Sequence, residues 1–340
     1  MKKHFLFSTM FALTAALSYG QATTATTGTA PTAVSCQDNE LNPIIGKEYT
    51  YKGTGTPAGG KYHIFATNNP NFITNGALST TGIYTATSTS GLLKAGTGYN
   101  DATNSTGEVK LSWSSAAANP SFVVVQYKQN GTCSTDNLKV YKIVPKNAFT
   151  IEIRNMEKGT GNTFTTKTTS VDVCSGNVQS ARYDNTINKV VYDYGSQSFY
   201  YELIAANYDK TFTPKVQVTG LQAGQTAELK WGVSKTAITH SLGNITNTST
   251  ISVPSVTADP AVDPTKGVSI YFELVVKNGS YEGTSDSTIT LKVDATSGAN
   301  NLKDVKTDCT EEADFADNVS QKLKARPTIN PNTGVNFIAQ

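Results

Sequence analysis

The chain offers few residues for nucleophilic or acid–base catalysis. Beyond His4 at its start, the only histidines among its 340 residues are His63 and His240. A serine hydrolase needs its nucleophile beside a histidine base. His63 lies in the strand-like segment KYHIFAT, His240 lies in a polar stretch, and no Gly-x-Ser-x-Gly motif occurs. We interpret both histidines as surface or hydrogen-bonded residues and expect no enzymatic activity.

Carboxylates could support glycoside hydrolysis, in which two acids flank the bond that is cut. Four acids surround the aromatic segments of the second half of the chain: Asp184, Asp193, Glu202 and Asp209. Each has the setting of an ordinary strand or turn residue, and the sequence does not show which of them face one another. A glycan or peptide hydrolase therefore stays a third alternative.

No segment has the spacing typical of a metal or cofactor site. Residues 100–108, NDATNSTGE, are rich in oxygen ligands suited to calcium, but their order differs from an EF-hand loop. The cysteines are too far apart for a zinc cluster. The glycine-rich stretches GTGTPAGG and KAGTGYN lack the Lys-Ser/Thr pair of a phosphate-binding loop. We expect no metal and no cofactor.

The four cysteines are better candidates for disulfides: Cys36, Cys133, Cys174 and Cys309. An even number of cysteines in an exported chain predicts two disulfides. Four cysteines allow three pairings, and the cysteine positions alone do not choose between them.

Aromatic residues cluster in the second half of the chain: Tyr192, Tyr194, Phe199, Tyr200, Tyr201, Tyr208 and Phe212. Strand alternation places Phe199 and Tyr201 on one face and Tyr200 on the other. One face should be core. The other could form an exposed tyrosine strip that contacts a protein or stacks on sugars, and we take Tyr200 as its candidate contact residue.

The N-terminus predicts export. Residues 1–20 have a basic start, a short apolar run and small residues before Gln21, as a secretory signal peptide has. Without its two lysines the chain has 26 basic and 26 acidic residues. A net charge of zero argues against nucleic acid, which needs a clustered positive field. No later segment is long and apolar enough for a transmembrane helix.

Short β-branched segments separated by Gly, Asn, Pro and Ser clusters predict an all-β fold of two tandem antiparallel β-sandwiches. The predicted order begins with a Thr/Ala-rich flexible linker at 21–33 and a first sandwich at 34–146. A second sandwich at 147–307 follows, with an insertion at about 235–267. In this insertion TSTISVPSV predicts an edge strand or an extra hairpin, and the rest predicts a long surface loop. The last region, 308–340, contains a short amphipathic helix from Thr310 to Arg326 and an extended tail.

The two predicted sandwiches share a sequence pattern. Each has a strand ending in Trp, at Trp113 or Trp231, then a strand ending in Asn-Gly, then a closing strand. We interpret this as a repeat in which both Trp side chains anchor the core. A repeat favours disulfides within each sandwich, Cys36 with Cys133 and Cys174 with Cys309.

The first half of the chain resembles the PKD-like and immunoglobulin-like repeats of Bacteroidota surface proteins. The matching positions are Gly46–Tyr51 for a G-x-x-Y-x-Y strand, Val109–Trp113 for a V-x-W strand and Asn130–Cys133 for a late N-G-C turn. The V-x-W motif reads LSW here. The core motif W-x-F-G-D-G of ordinary PKD domains is absent, and IFATNN stands in its place. The resemblance implies a spacer or interaction module near the gliding-motility or type 9 secretion machinery. Residues 308–340 are too short for the sorting domain of that system, which favours general export to the periplasm or cell surface.

These features favour a non-enzymatic accessory subunit of a cell-envelope or cell-surface assembly, such as an adhesin, gliding or secretion complex. Its partners would be envelope proteins, for example a surface adhesin or an outer-membrane protein. Candidate contacts are Tyr200 and three apolar residues of the tail, Val335, Phe337 and Ile338. The alternative is a secreted carbohydrate-binding protein that uses the tyrosine strip.

Overall fold

The protein is all-β, as predicted. The structure, a computed structural model, describes residues 24–25, 32–56, 58–87, 89–131, 135–258 and 264–329. These residues form strands and two 3₁₀ turns, Thr160–Asn162 and Pro264–Lys266, without an α-helix. The predicted signal peptide, Cys133 and the tail residues Val335, Phe337 and Ile338 lie outside the described residues.

The strands up to Ile143 are β1 (Thr24–Ala25), β2 (Glu48–Lys52), β3 (Lys61–Thr67), β4 (Ile73–Thr74), β5 (Ala77–Leu78), β6 (Leu92–Ala95), β7 (Glu108–Trp113), β8 (Ser121–Lys128) and β9 (Asp136–Ile143). Those that follow are β10 (Thr150–Lys158), β11 (Phe164–Lys167), β12 (Asp172–Val173), β13 (Ser180–Asp184), β14 (Lys189–Asp193), β15 (Ser196–Ala206), β16 (Thr211–Thr219), β17 (Thr226–Gly232), β18 (His240–Ile245), β19 (Thr250–Ser252), β20 (Val256–Ala258), β21 (Val268–Lys277), β22 (Ser287–Ser297), β23 (Leu302–Lys303) and β24 (Asp317–Leu323).

The first hydrophobic core lies between two three-stranded sheets, with the orders β2-β7-β6 and β3-β8-β9. Trp113 is fully buried there, and its Nε1 donates a hydrogen bond to the hydroxyl of Tyr51 at 2.9 Å. Tyr51 and Tyr49 are two residues apart on β2 and both face this core, as strand alternation requires. The predicted anchoring role of Trp113 is confirmed.

The second core lies between a larger pair of sheets. One has the order β1-β20-β16-β22-β24-β12, with β19 beside β16 and β23 beside β22, and the other has the order β11-β10-β15-β21-β17-β18. Trp231, Phe199 and Tyr201 are fully buried in this core, whereas Tyr200 is half-buried on the opposite face of β15. The predicted alternation is therefore confirmed. Burying one such ring contributes about 1.5–3 kcal/mol.

The strand pairings do not repeat between the two halves. In the first half β8 forms a hairpin with β9, while the Trp strand β7 belongs to the opposite sheet. In the second half the Trp strand β17 pairs with β21, and β22 belongs to the opposite sheet. Because β21 already pairs with β15 and β17, no edge is left beside it for β22. The sequence pattern thus reflects similar strands and not one copied unit.

The predicted insertion, 235–267, contributes strands to both sheets. β18 extends the six-stranded sheet beside β17, and β19 and β20 pair with β16 in the other sheet. The edge strand predicted in TSTISVPSV is confirmed as β19. The described part of the remainder is less of a free surface loop than predicted, because β18 and β20 are also paired.

The predicted C-terminal helix is wrong. Residues 317–323 form β24, which pairs antiparallel with β22 over its whole length. Phe315 (φ 58°) has a left-handed backbone conformation that a helix through this residue would not allow. Helices in proteins gain most of their stability by packing an amphipathic face. Here β24 instead gains a ladder of backbone hydrogen bonds with β22 and buries Gln321 and Leu323.

Part of the predicted linker packs against the second core. Thr24–Ala25 pairs parallel with β20, and the side chain of Ala25 is fully buried. Further along, Thr32 donates hydrogen bonds to the carboxylate of Glu152, and the amide of Ser35 donates to Thr307 O at 2.7 Å. The described part of 21–33 is therefore anchored and does not form a free tether.

The predicted disulfide pairing is also wrong. Cys36 bonds to Cys309, 273 residues away and with a Cα–Cα distance of 5.7 Å, and Cys174 is an exposed free thiol. The segment before the first core runs along the second sandwich, which brings Cys36 to the loop that holds Cys309. The repeat interpretation could not predict this path, because it assumed that each disulfide stays within one sandwich.

Hydrogen bonds connect the two halves beyond the disulfide. The amide of Ser115 donates to Asp209 Oδ2 at 2.7 Å, and Asn300 Nδ2 donates to Ser115 O at 2.8 Å. Asn147 Nδ2 donates to Lys303 O at 2.7 Å. The carboxylate of Asp209 is thus a structural acceptor at this contact.

The disulfide generates the first prediction. Peptide mapping of non-reduced protein should yield a Cys36–Cys309 peptide, and a maleimide should label Cys174 in the folded protein. Replacing both Cys36 and Cys309 with Ser removes a covalent link across a long loop. We expect it to lower the free energy of unfolding by about 2–4 kcal/mol in denaturant titrations.

Cys174→Ser is the matched control and should leave the free energy of unfolding within about 0.5 kcal/mol of wild type, because its side chain is exposed. A Cys36–Cys133 or Cys174–Cys309 peptide in the map would contradict the structure.

Candidate functional site

The largest group of exposed large apolar side chains among the described residues lies in and beside the β-hairpin of β13 and β14. These strands pair only with each other among the described strands, from Ser180↔Asp193 to Asp184↔Lys189. Large apolar side chains in and beside the hairpin are about half exposed: Val178 at 51%, Tyr183 at 54%, Ile187 at 56%, Val190 at 49% and Tyr192 at 43%. Contiguous exposed apolar surface of this kind marks interaction sites.

The register makes the hairpin amphipathic. Tyr183 is opposite Val190 and Ala181 is opposite Tyr192, so these four side chains share one face. The other face carries Arg182 beside Asp184 (3.5 Å), together with Ser180, Val191, Lys189 and Asp193. The hairpin therefore presents a two-stranded apolar face to solvent, with an unpaired backbone edge on each side among the described strands.

Buried amide side chains hold the base of the hairpin. Asn278, 2% exposed, donates from Nδ2 to Gln197 Oε1 at 2.9 Å and to Tyr194 O at 3.1 Å. Its Oδ1 accepts from Gln225 Nε2 at 2.8 Å. The next residue, Gly279 (φ 52°), accepts from the amide of Tyr194 at 2.9 Å. The Asn-Gly pair recognised in the sequence thus positions the hairpin.

The chain after β24 also reaches this base. The guanidinium of Arg326 donates to the backbone carbonyls of Gly176 and Tyr194. It lies over the ring of Tyr194 at 5.1 Å, and that ring stacks on Tyr192 at 5.5 Å. Burial, followed by the charge of Glu282, raises the pKa of Tyr194 above its usual value. Arg326 brings the C-terminal chain beside the hairpin.

Tyr200, the predicted contact residue, is engaged within the chain. Its hydroxyl donates to Glu273 Oε1 at 2.9 Å and accepts from Lys158 Nζ at 3.3 Å. Its ring packs edge-on against Phe164, with 5.0 Å between centroids. The more exposed tyrosines are Tyr183 and Tyr192, which lie on the hairpin and not on β15.

The histidines have structural partners. His63 Nε2 lies 2.8 Å from Asn100 Oδ1, and His240 packs against the ring of Trp231. The segment 100–108, considered for calcium, is tied by Asn104, whose Oδ1 accepts from the amide and hydroxyl of Thr106.

The four acids considered for hydrolysis also have structural partners. Glu202 accepts from the hydroxyls of Thr166 and Ser269, both at 2.7 Å. Asp193 accepts from the amide of Gly195 at 2.9 Å. Asp184 lies beside Arg182, and Asp209 binds Ser115 as described above.

Three other carboxylates converge at the entrance to β24. The oxygens of Asp304, Glu312 and Asp317 lie within 4.8 Å of one another, the one such group of His, Cys, Asp and Glu found among the described residues. Burial, followed by the charge of Asp294, raises the pKa of Asp304 to about 7. Burial, followed by the charge of Glu312, raises the pKa of Asp317 to about 7.

Sequence reasoning missed both the hairpin and this carboxylate group. The helix predicted from Thr310 to Arg326 has Glu312 in its first turn and leaves Asp304 outside it, so that prediction does not bring these two acids together with Asp317. The stretch DVKTDCTEEADFAD, with many acids close to a cysteine, was the signal that could have indicated a compact acidic loop. The signal for the hairpin is the pair of apolar segments on either side of the polar stretch DNTINK.

No protein-family model and no curated protein match the sequence. Among solved structures, the chain is similar to the N-terminal domain of PorA (TM-score 0.25, 11% identity, covering 52% of this chain and 97% of that one). It is also similar to CfaE, the adhesive subunit of CFA/I fimbria of enterotoxigenic Escherichia coli (TM-score 0.30, 9% identity, 90% and 99%). A third is the CupB6 tip adhesin from Pseudomonas aeruginosa (TM-score 0.29, 9% identity, 83% and 90%). Within the described residues no helix is long and apolar enough to cross a membrane.

The amide network generates the second prediction. Asn278→Ala removes the partner of the Gln197 side-chain amide and of Gln225 Nε2, and one of the two donors to the carbonyl of Tyr194. Losing these bonds at a buried position costs about 1–3 kcal/mol in free energy of unfolding. Hydrogen exchange should show faster exchange in β13 and β14 than in wild type. Asn137→Ala, at an exposed position on β9, is the control. Unchanged hairpin protection in Asn278→Ala would show that the network does not hold the hairpin.

The raised pKa values generate the third prediction. Both carboxyls keep their protons in the folded state to about pH 7, whereas unfolded Asp ionises near pH 4. The folded state therefore binds more protons than the unfolded state between these values. The free energy of unfolding, measured with a chelator that removes metal ions, should fall as pH rises from about 4 to 7. Urea titrations at stepped pH measure this. Asp317→Asn should flatten the decline, and Asp314→Asn should not, because Asp314 is exposed and pairs with Lys303 at 3.1 Å. A stability that rises over this range would contradict the assignment.

Proposed function

We propose that the chain is a non-enzymatic accessory subunit of a bacterial cell-envelope or cell-surface assembly, and that it binds a protein partner through the β13–β14 hairpin. The observation that carries this proposal is the amphipathic hairpin, whose apolar face is about half exposed at Tyr183, Val190 and Tyr192. Its base is fixed by buried amides and by Arg326. A rigid base and an exposed apolar face suit binding, because little order must be gained when the partner docks.

The partner chemistry follows from the unpaired edges. Either hairpin strand can accept an extended segment of another protein, whose backbone forms the ladder while its apolar side chains cover the exposed face. The polar face, with Arg182 and Asp184, would stay in solvent. The predicted signal peptide, the disulfide and the resemblance to Bacteroidota surface repeats support an exported setting, and a gliding or secretion complex is the assembly we favour.

The fourth prediction compares the apolar face of the hairpin with its polar face in partner binding. Val190 and Val191 are adjacent in sequence and lie on opposite faces of the hairpin. Val190→Asp should abolish copurification of the partner from a native envelope fraction, because it puts a charge in the apolar contact. Val191→Asp should retain copurification. Neither variant should change the melting temperature by more than about 2 °C, because the hairpin lies outside both cores.

Site-specific photocrosslinking identifies the partner directly. A photoreactive residue at position 190 should give one dominant adduct in intact cells, and the same residue at position 191 should not. A wild-type chain that purifies as a monomer with no adduct at position 190 would refute the proposal.

A carbohydrate-binding protein is the second candidate, and the exposed Tyr192 with its stacked neighbour Tyr194 favours it. Exposed tyrosine rings of this kind can stack on sugars. A glycan array separates the two functions. Glycan binding that Tyr192→Ala abolishes and that Val190→Asp retains would favour this second function. Tyr200→Ala is a less suitable test, because Tyr200 is engaged by Glu273 and Lys158.

A further inference from the structure

The carboxylate group at the entrance to β24 has the features of a cation site, a property separate from the proposed partner binding. Asp304 follows β23 and is 4% exposed, and Asp317 is the first residue of β24. Glu312 lies between them in sequence, and its amide donates to Asp304 O at 3.1 Å. The ladder with β22 and this backbone bond hold the three carboxylates together. Two ligands of one calcium ion lie at most about 5 Å apart, and these oxygens lie within 4.8 Å of one another.

Buried oxygens without a hydrogen-bond partner among the described residues lie beside this carboxylate group. Thr150, 8% exposed, and Asp317 line one open cavity of about 370 Å³ together with Glu312. Thr150 Oγ1 and Asp317 Oδ2 are buried and have no hydrogen-bond partner among the described residues. Buried hydroxyl and carboxylate oxygens are nearly always paired in folded proteins. Unpaired oxygens of Thr150 and Asp317 that line the same cavity as Glu312 therefore indicate a ligand that accepts their lone pairs.

The nearby basic side chains leave the negative charge only partly balanced. Lys303 pairs with Asp314 at 3.1 Å, and Arg154 pairs with Glu152 at 2.6 Å. Lys306 lines the cavity and is the competing counter-ion. Asp294, 8% exposed, adds a further negative charge beside Asp304.

We propose that Asp304, Glu312 and Asp317, with the hydroxyl of Thr150, bind a calcium ion. All the donors are oxygens, which favours a hard cation over zinc or copper. Calcium accepts six to eight oxygens in irregular geometry, whereas magnesium requires a near-ideal octahedron. The loop from Asp304 to Glu312 also carries Cys309, so the ion would stabilise the loop that the disulfide joins to Cys36.

The test uses the full chain, stripped with a chelator and dialysed. Calorimetric titration with CaCl₂ should show one site per chain, and millimolar calcium should raise the melting temperature by several degrees, because an ion that binds only the folded state stabilises it. Magnesium should bind at least about tenfold more weakly.

Asp317→Asn and Glu312→Gln should each weaken calcium binding at least about tenfold and remove the thermal shift. These variants remove charge from a crowded site and should remain folded, which near-UV circular dichroism checks. Asp314→Asn, in the same loop but paired with Lys303, is the matched control and should keep both effects.

Three results would overturn the proposal: no calcium binding to folded wild type at millimolar concentration, a thermal shift retained in Asp317→Asn, or equal affinity for magnesium. The first would assign the counter-ion role to Lys306. Partner capture by the hairpin is measured separately, so failure of the calcium site leaves the proposed function untouched, and the reverse also holds.

Discussion

The antiparallel pairing of β24 with β22 is the contact on which the rest of the second sandwich depends. It runs from Ser287↔Leu323 to Val293↔Asp317. From β24, Gln321 Nε2 donates to Tyr200 O at 2.7 Å, and Ser320 O accepts from Asn155 Nδ2 at 3.1 Å, so this strand also bonds to the opposite sheet. A single C-terminal strand thus links both layers. Its N-terminal end positions the carboxylate group, and its C-terminal end positions Arg326.

The local features of the fold could be predicted from the sequence. Alternation along β16 and the positions of Trp113 and Trp231 depend only on strand geometry and on the gain from burying apolar area. The same rule places Phe199 and Tyr201 on the core face of β15 and Tyr200 on the opposite face. The structure confirms each assignment. Local sequence patterns were therefore sufficient to predict the fold class and many of the core residues.

The non-local features could not be predicted in the same way. The segment 310–326 fits a helix at i, i+4 spacing and a strand at i, i+2 spacing, because Val319 and Leu323 satisfy both patterns. The choice depends on whether β22 has a free edge, which no local pattern reports. The Cys36–Cys309 bond has the same origin, since it depends on the path of the segment before the first core. The hairpin face and the carboxylate group depend in turn on these long-range placements.

The two ends of β24 differ in how they are held. At its C-terminal end, Lys322 and Leu323 pair with β12, and Arg326 binds at the base of the hairpin. At its N-terminal end, Asp317 enters from a loop with one disulfide, beside Asp304 and Glu312. Ionisation of these crowded carboxyls opposes the ladder there. A disulfide limits how far the loop can open but does not neutralise its charge. A bound cation would do so, and it would favour the same β22–β24 register that positions Arg326 against the hairpin. The charge of the carboxylates at one end of β24 and the position of Arg326 at the other end are thus linked through a single ladder of backbone hydrogen bonds.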